Sequence, residues 1–243
     1  MRERRAIAPI SETDPGIEVD DAYRISRAFM GLREAAGERV IGKKIGVTSP
    51  AVQEMLGIDQ PDFGFLTDAM WCRDGVVDTK GLIAPRAEAE IGFRLNSDLK
   101  GPGVTPDDVL AATESVMACF EIVDSRIQDW RIRICDTIAD NASCGVFILS
   151  GDEVPVSGLE LKDVCVTVTK NGKFLSEGSG ASVQGAPENA VAWLANTLGE
   201  YGIPFQAGEI ILSGSLVPLA DAAAGDVFRL SMPGVGEAEA RFA

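Results

Sequence analysis

The chain has 243 residues, 46% of them apolar and 24% charged, and carries a formal net charge of −15. These values are ordinary for a globular protein and allow a full hydrophobic core. The acidic balance disfavours nucleic acids and anionic membranes as partners, because both attract positive charge. No stretch is long and apolar enough for a membrane span or a signal peptide, so we expect a cytoplasmic protein.

The chain contains five cysteines and no histidine. The cysteines are odd in number, widely spaced and form no Cys-x-x-Cys pair, which argues against a zinc ribbon or a disulfide framework. Without histidine, Ser-His-Asp triads, Cys-His pairs and His-ligated zinc are excluded. Any proton transfer must therefore use Lys, Asp, Glu, Tyr, Cys or water.

The N-terminal part predicts a helix followed by a strand. Apolar side chains recur at helical spacing over residues 19–36. Residues 39–47 alternate as a strand in which Lys44 shares its face with Gly42 and Gly46, so we expect space for a ligand beside this lysine. The alternative is a solvated lysine on an exposed strand face.

A short helix is predicted over residues 49–57, with Ser49 as N-cap and Pro50 in the first turn. The loop that follows, residues 59–64, is rich in turn-forming residues. It contains Asp62, which is either an acid of the site or a turn former.

The most informative stretch is the predicted strand at residues 85–95. Glu88 and Glu90 are two residues apart, so their carboxylates point to one face about 6 to 7 Å apart along the chain. Like charges repel at this spacing unless a cation lies between them or one carboxylate takes a proton. A third carboxylate, Glu121, follows in an apolar strand, where burial without a partner is costly.

Three strand carboxylates in a chain without histidine suit a hard cation such as Mg²⁺ or Mn²⁺. The alternative interpretation places Glu88 and Glu90 on a solvated sheet face and pairs Glu121 with an arginine.

Between the carboxylate strands, a helix is predicted from Thr105 to about Ala118, with Val109, Ala112 and Val116 on one face. The polar segment at residues 124–143 lies between two apolar strands. So many hydrogen-bonding groups at this point predict the wall of a pocket.

The second half is predicted to be sheet with one helix. Asn171-Gly172 indicates a hairpin, and residues 187–201 a helix. The glycine-rich segment 178–182 lacks the order of a P-loop and is predicted to let the backbone approach another segment closely. Ser213-Gly214-Ser215 leaves a strand end, where small hydroxyl residues often bind a carboxylate.

Five segments resemble, in order, the hydratase/decarboxylase family, which contains 2-oxopent-4-enoate (2-hydroxypenta-2,4-dienoate) hydratases and 4-oxalocrotonate decarboxylases and is related to fumarylacetoacetate hydrolase. The segments are Gly-Lys-Lys-Ile-Gly-Val-Thr-Ser at 42–49, Asp-Gln-Pro-Asp-Phe-Gly at 59–64, Glu-Ala-Glu-Ile at 88–91, Glu-Ile-Val-Asp-Ser-Arg-Ile at 121–127 and Asp-Thr-Ile-Ala-Asp-Asn-Ala-Ser at 136–143. The similarity runs from about Ile7 to the C-terminus.

The resemblance implies an α+β fold, a mixed β-sheet roll of the fumarylacetoacetase C-terminal type with flanking helices. Residues 1–60 would form an N-terminal helical and strand portion packed on a catalytic core of residues 61–243, in one continuous domain. Family members usually begin with a further helix, so part of the N-terminal packing or subunit contact is expected to differ. A homo-oligomer is also expected.

The resemblance also implies roles for individual side chains around an Mg²⁺ or Mn²⁺ ion. These are metal ligation by Glu88, Glu90 and Glu121, acid–base catalysis by Lys44 and Asp62, and contact with the substrate carboxylate by Ser143, Ser213 and Ser215. Lys43 stands where a bulkier, often aromatic residue is expected, which leaves a choice between Lys43 and Lys44 to be tested.

The activity implied is hydration of 2-hydroxypenta-2,4-dienoate or a close homologue to a 4-hydroxy-2-oxo acid, in the meta-cleavage breakdown of aromatic compounds. Decarboxylation of 4-oxalocrotonate through the same dienolate is the main alternative, although the segment at 122–127 with Trp130 is more similar to hydratases. Hydrolysis of an acylpyruvate is a third activity. A non-catalytic scaffold subunit beside a homologous decarboxylase is the non-enzyme alternative, which an intact carboxylate set argues against.

Overall fold

The structure is a computed structural model that describes residues 4–49, 53–54 and 60–243. Most of the short helix predicted over residues 49–57 lies outside these residues. The helices are α1 (Ile10–Thr13), α2 (Val19–Ala35), α3 (Pro106–Ala111), α4 (Ile134–Ala139) and α5 (Pro187–Glu200). The predictions at residues 19–36 and 187–201 are thus confirmed as α2 and α5. Within the described ranges, no helix combines the length and the apolar composition needed to cross a membrane.

The strands form two mixed sheets. They are β1 (Val40–Gly46), β2 (Asp62–Thr67), β3 (Val76–Val77), β4 (Pro85–Leu95), β5 (Thr113–Asp124), β6 (Cys144–Leu149), β7 (Cys165–Lys170), β8 (Lys173–Ser179), β9 (Ile210–Ser215), β10 (Ala220–Asp221), β11 (Val227–Met232) and β12 (Gly236–Phe242).

The larger sheet has seven strands in the order β2-β1-β9-β4-β5-β6, with β10 paired to β4, and the smaller has five in the order β3-β12-β11-β7-β8. The pairs β1–β9 and β3–β12 are parallel. The expected mixed sheets with flanking helices are therefore present.

The helix predicted from Thr105 to about Ala118 is wrong in its second half. Helix α3 ends at Ala111, and strand β5 already begins at Thr113. Val116 is a buried strand residue paired with Phe93. Pairing with the whole length of β4 overrides the helical spacing of the apolar residues, since local propensity is weak against tertiary contacts.

Two turn predictions in the second half are confirmed. Asn171 and Gly172 have φ values of 53° and 75° and join β7 to β8 as a hairpin. In the glycine-rich segment, a Cβ on Gly178 would lie 2.0 Å from the Leu216 carbonyl oxygen, and one on Gly180 equally close to that of Leu161. The backbone therefore does approach other segments closely here.

The two faces of β4 and β5 differ in what they bury. Ile91, Phe93 and Phe120 belong to the main hydrophobic core, where the Phe120 ring lies 6.3 Å from that of Phe228 in the smaller sheet. Because side chains alternate along a strand, Glu88, Glu90 and Glu121 point to the opposite face. That face also holds a smaller apolar cluster around Cys119 and Cys144.

Candidate active site

Three glutamates converge on this second face. Glu88 and Glu121 are direct partners across the β4–β5 pair, and Glu90 lies two residues further along β4. One carboxylate oxygen of each lies within 4.8 Å of those of the other two. Glu90 and Glu121 are completely buried and Glu88 is half-buried. The alternative of a solvated sheet face is therefore wrong for Glu90, which is completely buried, while the half-buried Glu88 lies in the wall of a cavity.

Several buried oxygens of this cluster accept no hydrogen bond from the residues that the structure describes. They are Oε1 of Glu90 and both oxygens of Glu121, whereas Glu90 Oε2 accepts the Gly214 N–H at 2.9 Å. Burial and the neighbouring negative charges raise the pKa of all three carboxyls, that of Glu88 to about 8. Unsatisfied buried carboxylates are unfavourable on their own. An all-oxygen, anionic donor set of this kind fits a hard divalent cation.

Lys44 is the cation that lies against this cluster. Its buried Nζ is 3.2 Å from Glu121 Oε1, an ion-pair distance without the angles of a hydrogen bond. Glu121 is thus paired with a lysine and not with the arginine considered from the sequence. Burial acts to lower the pKa of Lys44, but the charges of Glu121 and Asp62 outweigh it and raise the pKa above its usual value. Lys44 is therefore an ammonium group in this setting.

Lys43 belongs to the other side of the sheet. Its Nζ donates to Glu209 Oε1 at 2.6 Å and lies 5.4 Å from the centre of the Phe205 ring. Burial lowers the pKa of Lys43, partly offset by Glu209. Of the two adjacent lysines, the strand alternation brings only Lys44 to the carboxylates.

Asp62 begins β2, opposite Gly46 of β1, and is buried. Its Oδ2 accepts the Thr137 hydroxyl at 2.8 Å, and its Oδ1 has no hydrogen-bond partner among the described residues. Burial raises the pKa of Asp62, and Lys44 partly offsets this shift. Asp62 is thus a strand residue whose free oxygen points towards Lys44, and not a turn former.

The expected space for a ligand beside Lys44 is present, since Lys44 and Gly46 both line a cavity, but the positions of the missing side chains are themselves filled by protein atoms. A Cβ on Gly46 would lie 2.2 Å from Asp62 Oδ1 and 3.3 Å from Lys44 Nζ, and one on Gly42 would lie 2.0 Å from the Ile210 carbonyl oxygen. The absent side chains admit the Asp62 carboxylate and the β9 backbone. Gly46 therefore lets Asp62 approach Lys44, and Gly42 lets β9 pack against β1.

A cavity of about 940 Å³ opens beside these groups, with Lys44, Asp62 and Glu88 in its wall. The segment at residues 130–143 supplies another part of the wall, as predicted for the polar stretch. Asn141, Ala142 and Ser143 all have left-handed φ values, of 55°, 50° and 52°. Strained backbone of this kind persists only where surrounding contacts hold it, and it is frequent at functional sites.

The Asn141 side chain holds this left-handed turn through two hydrogen bonds to the backbone of Phe65. Ser143 lines the cavity, and its buried hydroxyl has no hydrogen-bond partner in the described chain. Sequence reasoning missed the turn itself, since only Asn141 tolerates a left-handed conformation readily.

The two serines of the 213–215 segment differ. Ser215 lines the cavity and donates to the Val217 carbonyl at 2.7 Å. Ser213 is buried and does not line the cavity. A register shift between β4 and β9, with Gly214 at φ 100°, interrupts the alternation and separates the two side chains.

Sequence reasoning also missed two charged residues at the mouth of the cavity, Arg86 and Asp221. The alternation of side chains along β4 could have identified Arg86, since it lies on the same face of the strand as Glu88 and Glu90.

Comparison with known proteins places the chain in a family. The family model described as fumarylacetoacetate (FAA) hydrolase C-terminal matches residues 67–243. A 2-hydroxyhexa-2,4-dienoate hydratase of Comamonas testosteroni is 57% identical over 245 residues, covering 100% of this chain and 93% of the relative. A 2-hydroxypent-2,4-dienoate hydratase of Pseudomonas putida is 57% identical over 205 residues, covering 84% and 92%.

Among solved structures, 4-oxalocrotonate decarboxylase from Pseudomonas putida G7, complexed with magnesium and adipate, superposes with a TM-score of 0.95. It is 35% identical, and the match covers 98% of this chain and 91% of that one. The chain therefore belongs to the fumarylacetoacetate hydrolase family.

Proposed function

We propose that this protein is a divalent-metal-dependent hydratase that adds water to 2-hydroxypenta-2,4-dienoate or a close homologue, giving a 4-hydroxy-2-oxo acid. The observation that carries the proposal is the carboxylate cluster with Lys44 and Asp62 beside it in one cavity wall. The names of the relatives at 57% identity favour hydration among the reactions that such a site could support.

Glu88, Glu90 and Glu121 would hold the ion, with Mg²⁺ or Mn²⁺ as the candidates. Both ions accept oxygen ligands, and the cluster offers no nitrogen or sulfur ligand atom of its own. When bound, such an ion supplies positive charge that stabilises an enolate of a 2-oxo acid. Ser143 and Ser215 would contact the substrate carboxylate, with Ser143 offering a hydroxyl that has no other partner.

Lys44 and Asp62 would move the protons. In the first stage the 2-hydroxyl group loses its proton and C5 gains one, which converts the dienol into an unsaturated 2-oxo acid. In the second stage the oxygen of water bonds to C4 and a proton is added at C3. Lys44 holds a proton to donate, and the free Oδ1 of Asp62 is an acceptor within the same small space.

Decarboxylation of 4-oxalocrotonate is the second candidate. The observation in its favour is the TM-score of 0.95 to a 4-oxalocrotonate decarboxylase, although that protein is 35% identical against 57% for the hydratases. Both reactions pass through related enolates and would use the same metal ligands, so the ligand set does not distinguish hydration from decarboxylation. The preference for hydration therefore rests on sequence identity.

The experiment offers 2-hydroxypenta-2,4-dienoate and 4-oxalocrotonate separately to the purified protein with added Mn²⁺, and identifies each product by mass. We expect 4-hydroxy-2-oxopentanoate from the first and negligible CO₂ from the second. Release of CO₂ as the main reaction would instead assign the decarboxylase activity. A protein that turns over neither compound but activates a homologous decarboxylase would be a scaffold subunit.

The wider setting is also part of the proposal. The reaction would belong to meta-cleavage breakdown of aromatic compounds in the cytoplasm, where all five cysteines, which are free thiols here, would stay reduced. A homo-oligomer and an association with a homologous decarboxylase are proposed from the family alone.

A further inference from the structure

The mouth of the cavity carries a charged pair that the proposed reaction does not use. Arg86 Nε donates to Asp221 Oδ1 at 2.9 Å, and the two residues are direct partners in the β4–β10 pairing. The Arg86 guanidinium also lies 4.5 Å from the centre of the Trp130 ring, whose Nε1 donates to the Ala84 carbonyl. Sheet register and ring stacking thus both fix the direction of Arg86.

A substrate whose head group is held at the three glutamates would reach Arg86 with its other end. Arg86 is two residues before Glu88 on the same face of β4, about 6 to 7 Å along the strand. An extended chain of six carbons that begins at the glutamates has a similar length. The group carried by the sixth carbon would therefore lie beside Arg86.

The charges of the cavity wall leave no cation free at this end. Among its described lining residues, the basic ones are Lys44 and Arg86, and the acidic ones are Asp62, Glu88 and Asp221. Lys44 is paired with Glu121, and Arg86 with Asp221. The remaining lining near the mouth is largely apolar, with Ile132, Val217, Pro218 and Leu219.

We propose that Asp221, by pairing with Arg86, makes this cavity selective for 2-hydroxydienoates with an uncharged alkyl end over those with a second carboxylate at that end. Asp221 acts in two ways, and both weaken the binding of a ligand with a distal carboxylate. It takes the Arg86 Nε and offsets the guanidinium charge that would otherwise attract a distal carboxylate, and its own charge repels that carboxylate. This specificity deepens the proposed function and rests on it for the orientation of the substrate.

The test compares two stable ligands that differ only at the sixth carbon. 2-Oxohexanoate ends in a methyl group and 2-oxohexanedioate in a carboxylate, and both carry the same 2-oxo acid head group. Their dissociation constants are measured by calorimetry on the full chain in saturating Mn²⁺. We expect 2-oxohexanoate to bind at least about tenfold more tightly to the unaltered protein.

Asp221→Asn should reduce this preference up to about fivefold, the upper end of the scale for an ion pair whose carboxylate side is exposed. The double variant Arg86→Met/Asp221→Asn should restore it, because the freed guanidinium is then absent. Glu153→Gln is the matched control. It breaks the ion pair that Glu153 forms with Arg94, and Arg94 lies on the same strand β4 but does not line the cavity. It should leave the ratio of the two constants unchanged.

Equal binding of the two ligands, binding of neither, or an unchanged ratio in Asp221→Asn would overturn the inference. The product assay decides the proposed function separately. If hydration product forms while the ratio stays fixed, the specificity inference fails alone. If the ratio moves as expected and no hydration occurs, the proposed reaction fails and the charge selectivity stands.

Discussion

Lys43 and Lys44 are neighbours on one strand, and each is buried against a glutamate, with 3% and 2% of its side chain exposed. The pair formed by Lys43 and Glu209 is closed, because Glu209 also accepts the Gln206 N–H and no oxygen of it is left over. Around Lys44, by contrast, several carboxylate oxygens accept no hydrogen bond within the described part of the chain. A buried ion pair is therefore a poor sign of a site, whereas buried acceptors left without donors are a good one.

The largest expected difference between the two lysines is in turnover. Lys44→Ala should lower kcat by about 10² to 10⁴, because it removes the proton donor from the cavity wall. Mn²⁺ affinity, measured by calorimetry, should stay roughly intact since the carboxylates remain. The assay is the rate of loss of 2-hydroxypenta-2,4-dienoate absorbance in saturating Mn²⁺.

Lys43→Ala is the matched control for that variant. It should keep kcat per folded molecule within about threefold, but lower the free energy of unfolding by about 3 to 5 kcal/mol, since it leaves Glu209 buried without its partner. A loss of kcat in Lys43→Ala as large as in Lys44→Ala would contradict the assignment of the proton donor.

The next largest effect should distinguish Glu90, a proposed metal ligand, from Glu209, the partner of Lys43. Glu90→Gln should weaken Mn²⁺ binding roughly tenfold or more, because one anionic ligand is lost. In metal-free protein, burial and the neighbouring carboxylates raise the pKa of Glu90, so this carboxyl is costly to bury as an anion and a neutral amide in its place should raise the unfolding temperature or leave it unchanged. The rise in unfolding temperature on adding Mn²⁺ should consequently be smaller than in the unaltered protein.

Glu209→Gln supplies the control for this prediction. It should lower the unfolding temperature without metal and leave the Mn²⁺ affinity as it was. Equal Mn²⁺ affinity in Glu90→Gln and the unaltered protein would remove Glu90 from the ligand set.

Elements defined by local periodicity were predictable. The bounds of β4 are those expected, and α2 and α5 differ from expectation by a residue at most. The strand around Glu121 was predicted, but the boundary between α3 and β5 was not, because the residues from Thr113 to Ala118 have helical apolar spacing and become strand by pairing with β4. Local sequence carries no information about that distant partner.

The residues of the site also divide into those that local spacing predicts and those that depend on a distant segment. Alternation placed Glu88 and Glu90 on one face, and strand register then added Glu121, which no local spacing could supply. The position of Ser213 outside the cavity lining and the filling of the space at Gly46 could not be foreseen, because they depend on a bulge in β9 and on the position of Asp62. Side chains whose role depends on a neighbouring segment, such as Asp221 beside Arg86, were likewise missed.

The smallest expected effect concerns Gly46, the glycine that lies against Asp62 and Lys44. Gly46→Ala would place a Cβ 2.2 Å from Asp62 Oδ1, so the carboxylate must rotate away from Lys44 and lose its bond to Thr137. Because a side chain can move where backbone cannot, the fold should survive. We expect kcat to fall about tenfold, since misplacing one proton-transfer group costs rate without abolishing binding.

Gly31→Ala is the control for this substitution. Gly31 lies within α2, where a new Cβ would meet no atom within 4 Å. Alanine there should raise the free energy of unfolding by about 0.5 to 1 kcal/mol and leave kcat unchanged. If Gly46→Ala also kept full kcat, Asp62 would not need its position beside Lys44, and the proton transfer would have to be assigned to Lys44 with water.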